Sequence, residues 1–303
     1  MDTLESMRMF TRVIELGSFS AAARERNVGQ PTISKVVAAL EANLGVRLLE
    51  RTTTRLTPTE EGKRFYARSK LVLDEYTEAV AEVRGQTRQL TGTLRVNAPV
   101  GLGELRLNSL FIEFLNEYPG IEIELILNDR IIDLVEEGVD VAIRLGDNLP
   151  PNVIARKIAT SERVLVAAHD YINRSSRIKK PEDLARHEYI RYAGIESGSK
   201  MEFSRVNELV SVSLHGRYRI NSSLALRQCF LEGVGLGSAP AWLVQDLIDN
   251  KALVRLLPAW GMPPQVLHLV YPSRRYQPLR IRTFLAFMTK RIPKLPEFHS
   301  TEK

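Results

Sequence analysis

The chain has 303 residues, of which 44% are hydrophobic and 26% are charged, and this composition is ordinary for a soluble protein of two or three domains. Its net charge of +6 is compatible with binding to nucleic acid but is weak evidence for it. A single cysteine excludes an intramolecular disulfide and favours a reducing compartment. Because no apolar run approaches the roughly 20 residues of a membrane helix, and the acidic, amphipathic start is no signal peptide, we expect a cytoplasmic protein.

Two short helices are predicted at the start of the chain. Apolar residues recur at helical spacing over residues 3–16 and predict the first. Ser18 or Ser20 can cap a second, alanine-rich helix by accepting a hydrogen bond from its first turn. Asn27 tolerates a left-handed conformation and ends that helix, so Gly29 completes a short turn.

A third helix follows the turn, and its N-terminal end is polar. Its predicted buried stripe consists of Ile33, Val37, Leu40 and Leu44. Short polar or basic residues at its start suit base edges and nearby phosphates in a major groove, and they are Gln30, Pro31, Thr32, Ser34 and Lys35. This pattern predicts a helix-turn-helix, and the alternative is a plain three-helix bundle that does not bind DNA.

The next segment, residues 47–62, alternates β-branched and basic residues and predicts a two-stranded wing. Arg51 and Arg55 on such a wing can reach phosphates or a narrow minor groove. Thr53 and Thr57 complete the predicted DNA-contacting set of the wing. A solvated charged loop is the alternative.

A long helix is predicted from residue 61 to residue 88. Its apolar residues follow a heptad seam at Phe65, Ser69, Val72, Tyr76, Ala79 and Val83. Such a helix would be about 42 Å long, and pairing with a second copy would bury the seam. The alternative is a helix that lies along its own C-terminal domain.

From residue 93 onward, predicted strands and helices alternate, which indicates βαβ units and a parallel sheet. The first set has strands at 93–98, 121–127 and 140–145 and helices at 103–119 and 130–138. The second set has strands near 163–168, 188–192, 235–238 and 265–271 and helices at 222–231, 241–248 and 278–292. Residues 293–303 are predicted to form a flexible tail.

Several motifs stand in a specific order along the chain, beginning with "GSFSAAA" (17–23), "QPTIS" (30–34), "RLLER" (47–51) and "LTPTEEG" (56–62). Later motifs are "GTLRVNAP" (92–99), "YPGIEIEL" (118–125), "GVDVAIRLG" (138–146) and "GVGLGSAP" (233–240). Together they resemble the LysR-type transcriptional regulators over nearly the whole chain. Two residues depart from the family pattern: Gly29 replaces a frequent Ser or Thr, which removes a helix cap, and Leu49 replaces a frequent Phe.

The resemblance implies an α/β chain of three parts. These are a winged helix-turn-helix DNA-binding domain at 1–62, a linker and dimerisation helix at 63–90, and an effector-binding domain at 91–303. The effector-binding domain would resemble periplasmic binding proteins, with lobe I at about 91–161 and 267–293 and lobe II at about 162–266. Antiparallel pairing of two linker helices would set two recognition helices over an interrupted palindrome.

Ligands of open α/β sheets bind at the carboxyl ends of strands, near helix N-termini. Applied to the predicted elements, this rule nominates Pro99, Val100, Gly101, Leu102, Asn128, Arg144, Ser197, Ser199, Ser222, Ser223 and Pro240 as effector-contacting residues. Hydroxyl and unpaired N–H groups at such positions suit a carboxylate or another small anion. For Ser222, a simple helix-capping role is the alternative.

Patterns typical of enzymes and metal sites are weak. "SGSK" (197–200) matches S-x-x-K but lacks the companion motifs of that class, and "GVGLGS" is no dinucleotide fingerprint. The five histidines show no metal-ligand spacing with one another or with Cys229, so no metal site is predicted. Cys229 is expected to be a small buried side chain, with redox sensing as the alternative.

The sequence therefore predicts a LysR-type regulator that is not an enzyme and has no cofactor besides a small-molecule effector. We expect it to bind promoter DNA as a homodimer or homotetramer and to be modulated by an effector in the interlobe cleft. RNA polymerase is a further expected partner, and no membrane is involved. The alternative is a small-molecule-binding protein that never contacts DNA.

Overall fold

The computed structural model describes residues 2–51, 56–83, 90–150, 152–193, 200–273 and 277–301. Over these ranges the chain forms a small helical unit, one long helix and a larger α/β unit. No helix within these ranges is long and apolar enough to cross a membrane.

Three helices and a hairpin form the N-terminal unit: α1 (Thr3–Glu15), α2 (Phe19–Glu25), α3 (Gln30–Leu44), β1 (Leu49–Arg51) and β2 (Leu56–Pro58). The predicted boundary signals are confirmed. Ser18 accepts a hydrogen bond from the backbone N–H of Ala21 at the start of α2, and Asn27 ends the helix with a φ of 53°.

The core of this unit is formed by Phe10, Val13, Ala22, Ala23, Ile33, Val37, Leu40, Leu48 and Leu49. Ala22 and Ala23 of the alanine-rich helix α2 are almost completely buried in this core. One predicted core residue is wrong: Leu44 is 41% exposed. It lies in the last turn of α3, directly before the left-handed Gly45, and that turn extends beyond the core.

The long helix α4 (Glu60–Val83) begins at the predicted place and is described as far as Val83. The remainder of the predicted helix falls in residues 84–89, which lie outside the described ranges. Thr59 caps the start of α4, because its hydroxyl accepts a hydrogen bond from the backbone N–H of Gly62.

The first part of the α/β unit contains, in chain order, β3 (Gly92–Ala98), α5 (Val100–Leu102), a π-helical turn (Gly103–Leu107), α6 (Asn108–Glu117), β4 (Ile121–Leu127), β5 (Val141–Leu145) and β6 (Val153–Ser161). The middle part contains β7 (Arg163–Ala168), α7 (His169–Arg174), a 3₁₀ helix (Pro181–Arg186), β8 (Arg191–Tyr192), β9 (Lys200–Arg205), β10 (Glu208–Ser213), β11 (Arg219–Ile220), α8 (Ser223–Leu231), β12 (Gly237–Pro240), α9 (Ala241–Asp249) and β13 (Leu253–Leu256). The last part contains β14 (Gln265–Pro272), α10 (Leu279–Arg291), a second 3₁₀ helix (Ile292–Lys294) and β15 (His299–Ser300).

Two sheets divide this unit into two lobes. Lobe I is built on a six-stranded sheet with the order β15-β6-β14-β5-β3-β4, and lobe II on a three-stranded sheet with the order β12-β7-β13. The chain crosses from the first sheet to the second where β6 runs directly into β7, and it returns through β14. The crossing strands create a cleft between the lobes.

The predicted parallel sheet is confirmed for only part of the larger sheet. Strand β3 pairs in parallel with β4 and β5, whereas β14 pairs antiparallel with β5 and β6. The alternation of strands and helices predicted only the parallel pairs. Strand β14 joins the sheet after the whole of lobe II, and no local sequence pattern indicates which strands it pairs with. Strands β6 and β13 and the hairpin of β9 and β10 were not predicted at all.

The predicted helix at 130–138 is also wrong. The Asp133 carboxylate accepts hydrogen bonds from the backbone N–H groups of Val135 (2.8 Å) and Glu136 (3.1 Å), as a helix N-cap does, so Asp133 stands before the turn and only residues 134–138 follow it. Leu134 and Val139 are both buried, so the apolar spacing that suggested a helix is satisfied within this turn. Left-handed Gly138 then ends it.

Residues 298–300 pack against the α/β unit, which corrects the prediction of a flexible tail for this segment. Phe298 is 3% exposed and packs in the main core of the α/β unit. His299 and Ser300 pair with Thr160 and Ala159 of β6 and so add an edge strand to the larger sheet. A single buried aromatic side chain in a polar segment is a weak sequence signal.

Candidate DNA-binding surface and effector cleft

The N-terminal end of α3 presents its polar residues outward. Gln30, Pro31, Thr32 and Lys35 are exposed, and Ser34 is half-buried. Gly29 provides no side-chain cap, as predicted, so the first-turn N–H groups of α3 gain no capping bond from that side chain. This arrangement gives an exposed, electropositive helix start that a phosphate or base edge can approach.

The wing is tied to α3 and α4 by hydrogen bonds at its base. The Glu41 carboxylate accepts from the backbone N–H groups of Leu48 (2.7 Å) and Leu49 (3.0 Å). Thr59 donates its hydroxyl proton to the carbonyl of Arg47 at 2.8 Å. The two strands pair antiparallel, with Arg51 opposite Leu56, so the predicted wing is present.

The predicted wing residues are only partly described. Thr57 is exposed on β2, opposite Glu50. Thr53 and Arg55 lie outside the described residues, and so does the side chain of Arg51. Gly62 lets the first turn of α4 pack closely against the backbone of Leu48, because a Cβ at this position would lie 1.9 Å from the Leu48 carbonyl oxygen.

Two basic side chains at the start of α4 form ion pairs on their own helix. Lys63 pairs with Glu60 and Arg64 with Glu61, both one turn apart on α4. Glu60 holds the pKa of Lys63 above its usual value through a hydrogen bond. By contrast, Lys35 makes no ion pair with any residue in the described ranges. Unpaired cations of this kind are the ones that can neutralise phosphates.

The predicted seam of α4 has two different halves. Phe65 packs against Phe10 of its own unit, with ring centroids 5.5 Å apart, and Ser69 is buried. Further along, Val72 is 43% exposed, Tyr76 is 46% exposed, and Val83 and Ala79 are also exposed. The C-terminal half of the helix therefore carries an uncovered apolar stripe.

Another face of α4 contacts lobe I, so the alternative of a helix lying along its own C-terminal domain holds for this face. The Arg280 guanidinium, 8% exposed as a residue, donates to the Asp74 carboxylate and, through Nε, to the carbonyl of Thr93 at 3.1 Å. Thr93 belongs to β3, the strand that leads to Pro99 at the cleft. The linker helix and the cleft are thus joined by one strand.

The cleft between the lobes has a volume of about 790 Å³, within the range of small-molecule sites. Its polar lining comes from both lobes and includes Asn128, Asp129, Arg144, Arg163 and Tyr192. The cleft continues into a narrower chamber with mainly apolar walls, formed by Pro99, Leu145, Leu226, Trp242 and Leu243.

The structure brings some of the predicted effector residues together and separates others. Those that line the cleft or its chamber are Pro99, Asn128, Arg144, Ser223 and Pro240. Val100 donates its backbone N–H to Asp129 at 3.1 Å, while Gly101 and Leu102 are buried behind the wall. Ser222 caps α8 through the N–H of Ala225, and Ser197 and Ser199 lie outside the described residues.

Arg144 is the most unusual residue in the cleft wall. It is 6% exposed, and its Nη1 donates only to the carbonyl of the preceding residue, Ile143, at 3.1 Å. Its Nε and Nη2 have no hydrogen-bond partner among the residues that the structure describes. Burial lowers the pKa of Arg144 to about 10, opposed by the charge of Asp129.

The sequence prediction missed several residues of the cleft. Arg163, whose pKa burial also lowers, begins β7 immediately after the crossing from lobe I, and it lines both the cleft and the chamber. Asp129 directly follows the predicted Asn128, so the rule that ligands bind at the carboxyl ends of strands (the strand-end rule) placed the end of this site one residue too early. Trp242 and Gln265, which share a hydrogen bond of 2.8 Å, come from elements distant in sequence, and no local signal marks them.

Cys229 is 9% exposed in α8, and burial raises the pKa of its thiol. This placement agrees with the expectation of a small buried side chain. A raised pKa keeps the thiol protonated, and a protonated thiol is a poor nucleophile.

Comparisons with known proteins agree with this architecture. A family model described as the bacterial regulatory helix-turn-helix protein, lysR family, matches residues 4–63. A second, described as the LysR substrate binding domain, matches residues 87–293.

Similar proteins match over nearly the whole chain. The HTH-type transcriptional regulator PtxR of Pseudomonas aeruginosa is 32% identical over 97% of this chain and 94% of its own length. The solved structure of CrgA, a LysR-type transcriptional regulator from Neisseria meningitidis, is 28% identical, covers 94% of this chain and 97% of that one, and has a TM-score of 0.60. The full-length structure of the Vibrio cholerae virulence activator AphB is 28% identical, covers 95% and 99%, and has a TM-score of 0.58. The chain therefore belongs to the LysR family of helix-turn-helix transcriptional regulators.

Proposed function

We propose that α3 and the wing contact promoter DNA through specific residues. Gln30, Thr32, Ser34 and Lys35 would meet base edges and nearby phosphates, while Arg51, Thr53, Arg55 and Thr57 would serve the wing. Pro31 would set the first turn of α3. The observation that carries this proposal is the exposed start of α3, which lacks a side-chain cap and holds Lys35, a lysine that forms no ion pair within the described part of the chain.

The test is fluorescence anisotropy of the full chain on the DNA beside its own gene and on scrambled DNA, across a salt series. We expect tight binding to the first DNA only, and Lys35→Ala should reduce the log–log salt slope by about 0.9. Lys290→Ala, an exposed lysine of α10, is the matched control and should leave the slope unchanged. Binding to neither DNA would favour the alternative, a small-molecule-binding protein without DNA contacts.

We further infer that two copies pair through the exposed half of the α4 seam, and that pairs assemble into tetramers. Antiparallel pairing would cover Val72, Tyr76, Ala79 and Val83 and hold two α3 helices over an interrupted palindrome. Tyr76→Asp should therefore shift the sedimentation mass toward the monomer, whereas Glu75→Gln on the same helix should not. An unchanged mass for Tyr76→Asp would refute this seam.

A small effector in the interlobe cleft would modulate DNA binding. Strand β3 supports this coupling, since it joins Pro99 at the cleft to the Thr93 carbonyl that Arg280 holds against α4. An effector that changes the lobe arrangement would then shift the placement of the DNA-binding pairs. The coupling fails if a bound effector leaves both the affinity and the DNA footprint unchanged.

In this proposal the chain works as a regulator in the cytoplasm, without catalysis of its own, and RNA polymerase is a further partner. The division of labour follows the predicted boundaries: DNA binding at 1–62, dimerisation at 63–90 and effector binding at 91–303. Within the last part, lobe I covers about 91–161 and 267–293, and lobe II about 162–266.

A further inference from the structure

Arg280 lies in the first turn of α10, a helix that is fixed in the core of lobe I. Phe284 and Phe287 of α10 pack against Phe114 of α6, with ring centroids 5.2 Å and 5.1 Å from that of Phe114. Arg280 itself is 8% exposed. A buried side chain on a closely packed helix has few positions open to it, so Arg280 can hold a neighbouring element in a defined place.

The guanidinium of Arg280 holds two elements at once. Its Nε donates to the carbonyl of Thr93 on β3 at 3.1 Å, and its Nη2 donates to the carboxylate of Asp74 on α4. These two nitrogens form one edge of the planar group, and their N–H bonds point in the same direction. Both bonds therefore form only while the Thr93 carbonyl and the Asp74 carboxylate stand side by side, which relates α4 to the first strand of the larger sheet.

The rest of the described boundary between α4 and lobe I is polar. No described residue of α4 belongs to the apolar core of the α/β unit, whereas Phe65 and Tyr66 pack against the core of the N-terminal unit. A gap of about 30 Å³ remains beside the ion pair. Its polar walls include Tyr66, Lys70, Asp74, Thr93, Arg95, Asp140 and Arg280.

Two other cations of this gap pair within their own part of the molecule. Lys70 of α4 lies 3.6 Å from the carboxylate of Glu15 on α1, and Arg95 of β3 lies 2.8 Å from that of Glu124 on β4. These pairs do not join α4 to lobe I. Because apolar packing across the boundary is also small, the directional bonds of Arg280 have a large share in fixing the angle of α4.

We propose that Arg280 is a positioning residue, which sets the angle between α4 and lobe I and thereby the place of the DNA-binding unit relative to the α/β unit. When its bonds to Asp74 and Thr93 are removed, both parts stay folded and the DNA-binding unit takes a wider range of orientations. This inference goes beyond the proposed contacts with DNA, since it concerns only how two folded parts of one chain are arranged.

The test is double electron–electron resonance on the full chain, which measures the distance between two spin labels. The labels are placed at Ser20→Cys on α2 and Asn116→Cys on α6, both exposed positions, with Cys229→Ala as the background. A large excess of unlabelled chain ensures that only distances within one chain are recorded. We expect one narrow distance distribution for the chain that carries Arg280 and Asp74.

The variants are Arg280→Met, which removes both bonds, and Asp74→Asn, which removes the charge of the partner on a side chain that is 30% exposed. Each should broaden or shift the distribution beyond the width of the parent distribution. Arg291→Met is the matched control, because Arg291 lies on the same helix and pairs with Glu113 at 2.6 Å within lobe I. It should leave the distribution unchanged. Tryptophan fluorescence during unfolding verifies that the α/β unit of each variant is folded.

The double variant Asp74→Asn/Arg280→Met should broaden the distribution no further than Arg280→Met alone, because both changes remove the same joint. Additive broadening would overturn the inference, as would a parent-like distribution in Arg280→Met or in Asp74→Asn. The distances are measured without DNA. A failure to bind DNA in the salt-series experiment would thus refute the proposed function without changing this result.

Discussion

The DNA-binding unit and the effector cleft use the same kind of side chain in opposite ways. On α3, Lys35 is exposed to solvent, and in the same unit the start of α4 packs closely against the carbonyl of Leu48. In the cleft, Arg144 is buried beside open space and two of its donors have no described partner. An exposed cation costs little and is screened by salt, whereas a buried cation destabilises the folded chain unless its charge is paired.

The largest expected effect tests the close backbone of the DNA-binding unit. Gly62→Ala should destabilise this unit by about 3 kcal/mol, because the new Cβ would meet a backbone oxygen that cannot move without opening the wing. Circular dichroism of thermal unfolding measures the change. Gly29→Ala is the control, since its Cβ would approach no atom more closely than 3.5 Å. Equal losses in both variants would mean that the contact at Gly62 relaxes freely.

The second prediction tests the cost of the buried cation. Arg144→Met should stabilise the ligand-free α/β unit by about 1–3 kcal/mol, because it replaces two charged donors that have no hydrogen-bond partner in the described ranges with an apolar chain of similar length. Both tryptophans, Trp242 and Trp260, lie in this unit, so their fluorescence reports its unfolding alone. Arg217→Met on the surface should stay within about 0.5 kcal/mol of the parent chain. Destabilisation by Arg144→Met would show that the guanidinium is already well paired.

The two regions also illustrate what sequence patterns can and cannot predict. In the DNA-binding unit, the cap at Ser18 and the left-handed Asn27 are signals carried by neighbouring residues, and the structure confirms them. In the α/β unit, the strand-end rule found Pro99, Asn128 and Arg144, because those residues follow or end local strands. The same rule did not predict Trp242 or Arg163 as residues of the cleft wall, because their positions depend on how the two lobes pack and not on neighbouring residues in the sequence.

A similar limit explains the errors. The apolar spacing of residues 130–138 fits a helix and also fits a single turn, between Asp133 and left-handed Gly138, that buries Leu134 and Val139. Periodicity alone does not distinguish the two. Likewise, the burial of Phe298 depends on a core assembled from both ends of the α/β unit.

A third prediction uses pH to separate the regions, because every histidine of the chain lies at residue 169 or later. Burial lowers the pKa of both His187 and His268. The charge of Asp183 opposes the shift at His187. At His268, the charge of Asp147 opposes the shift and that of Lys157 adds to it. The unfolded chain therefore binds more protons than the folded chain just below pH 6.5.

Stability of the α/β unit should consequently fall as the pH is lowered from about 6.5 to 5.5. Tryptophan fluorescence should record a decreasing unfolding temperature over this window, and His268→Gln should flatten the dependence. His215→Gln, an exposed histidine, is the control and should leave the slope unchanged. A dependence that persists unchanged in His268→Gln and in His187→Gln would assign it to other groups.

The smallest expected effect lies at the uncapped start of α3. Gly29 has φ −70° and ψ 143°, a conformation that serine adopts without strain, and space for a side chain is present. Gly29→Ser should therefore stabilise the DNA-binding unit by a few tenths of a kcal/mol, because the hydroxyl can accept a first-turn N–H. Comparison with Gly29→Ala isolates the hydroxyl from the effect of the added Cβ. If serine proves no more stable than alanine, the first-turn N–H groups are already satisfied. The absent cap would then add nothing to the electropositive character of this helix start.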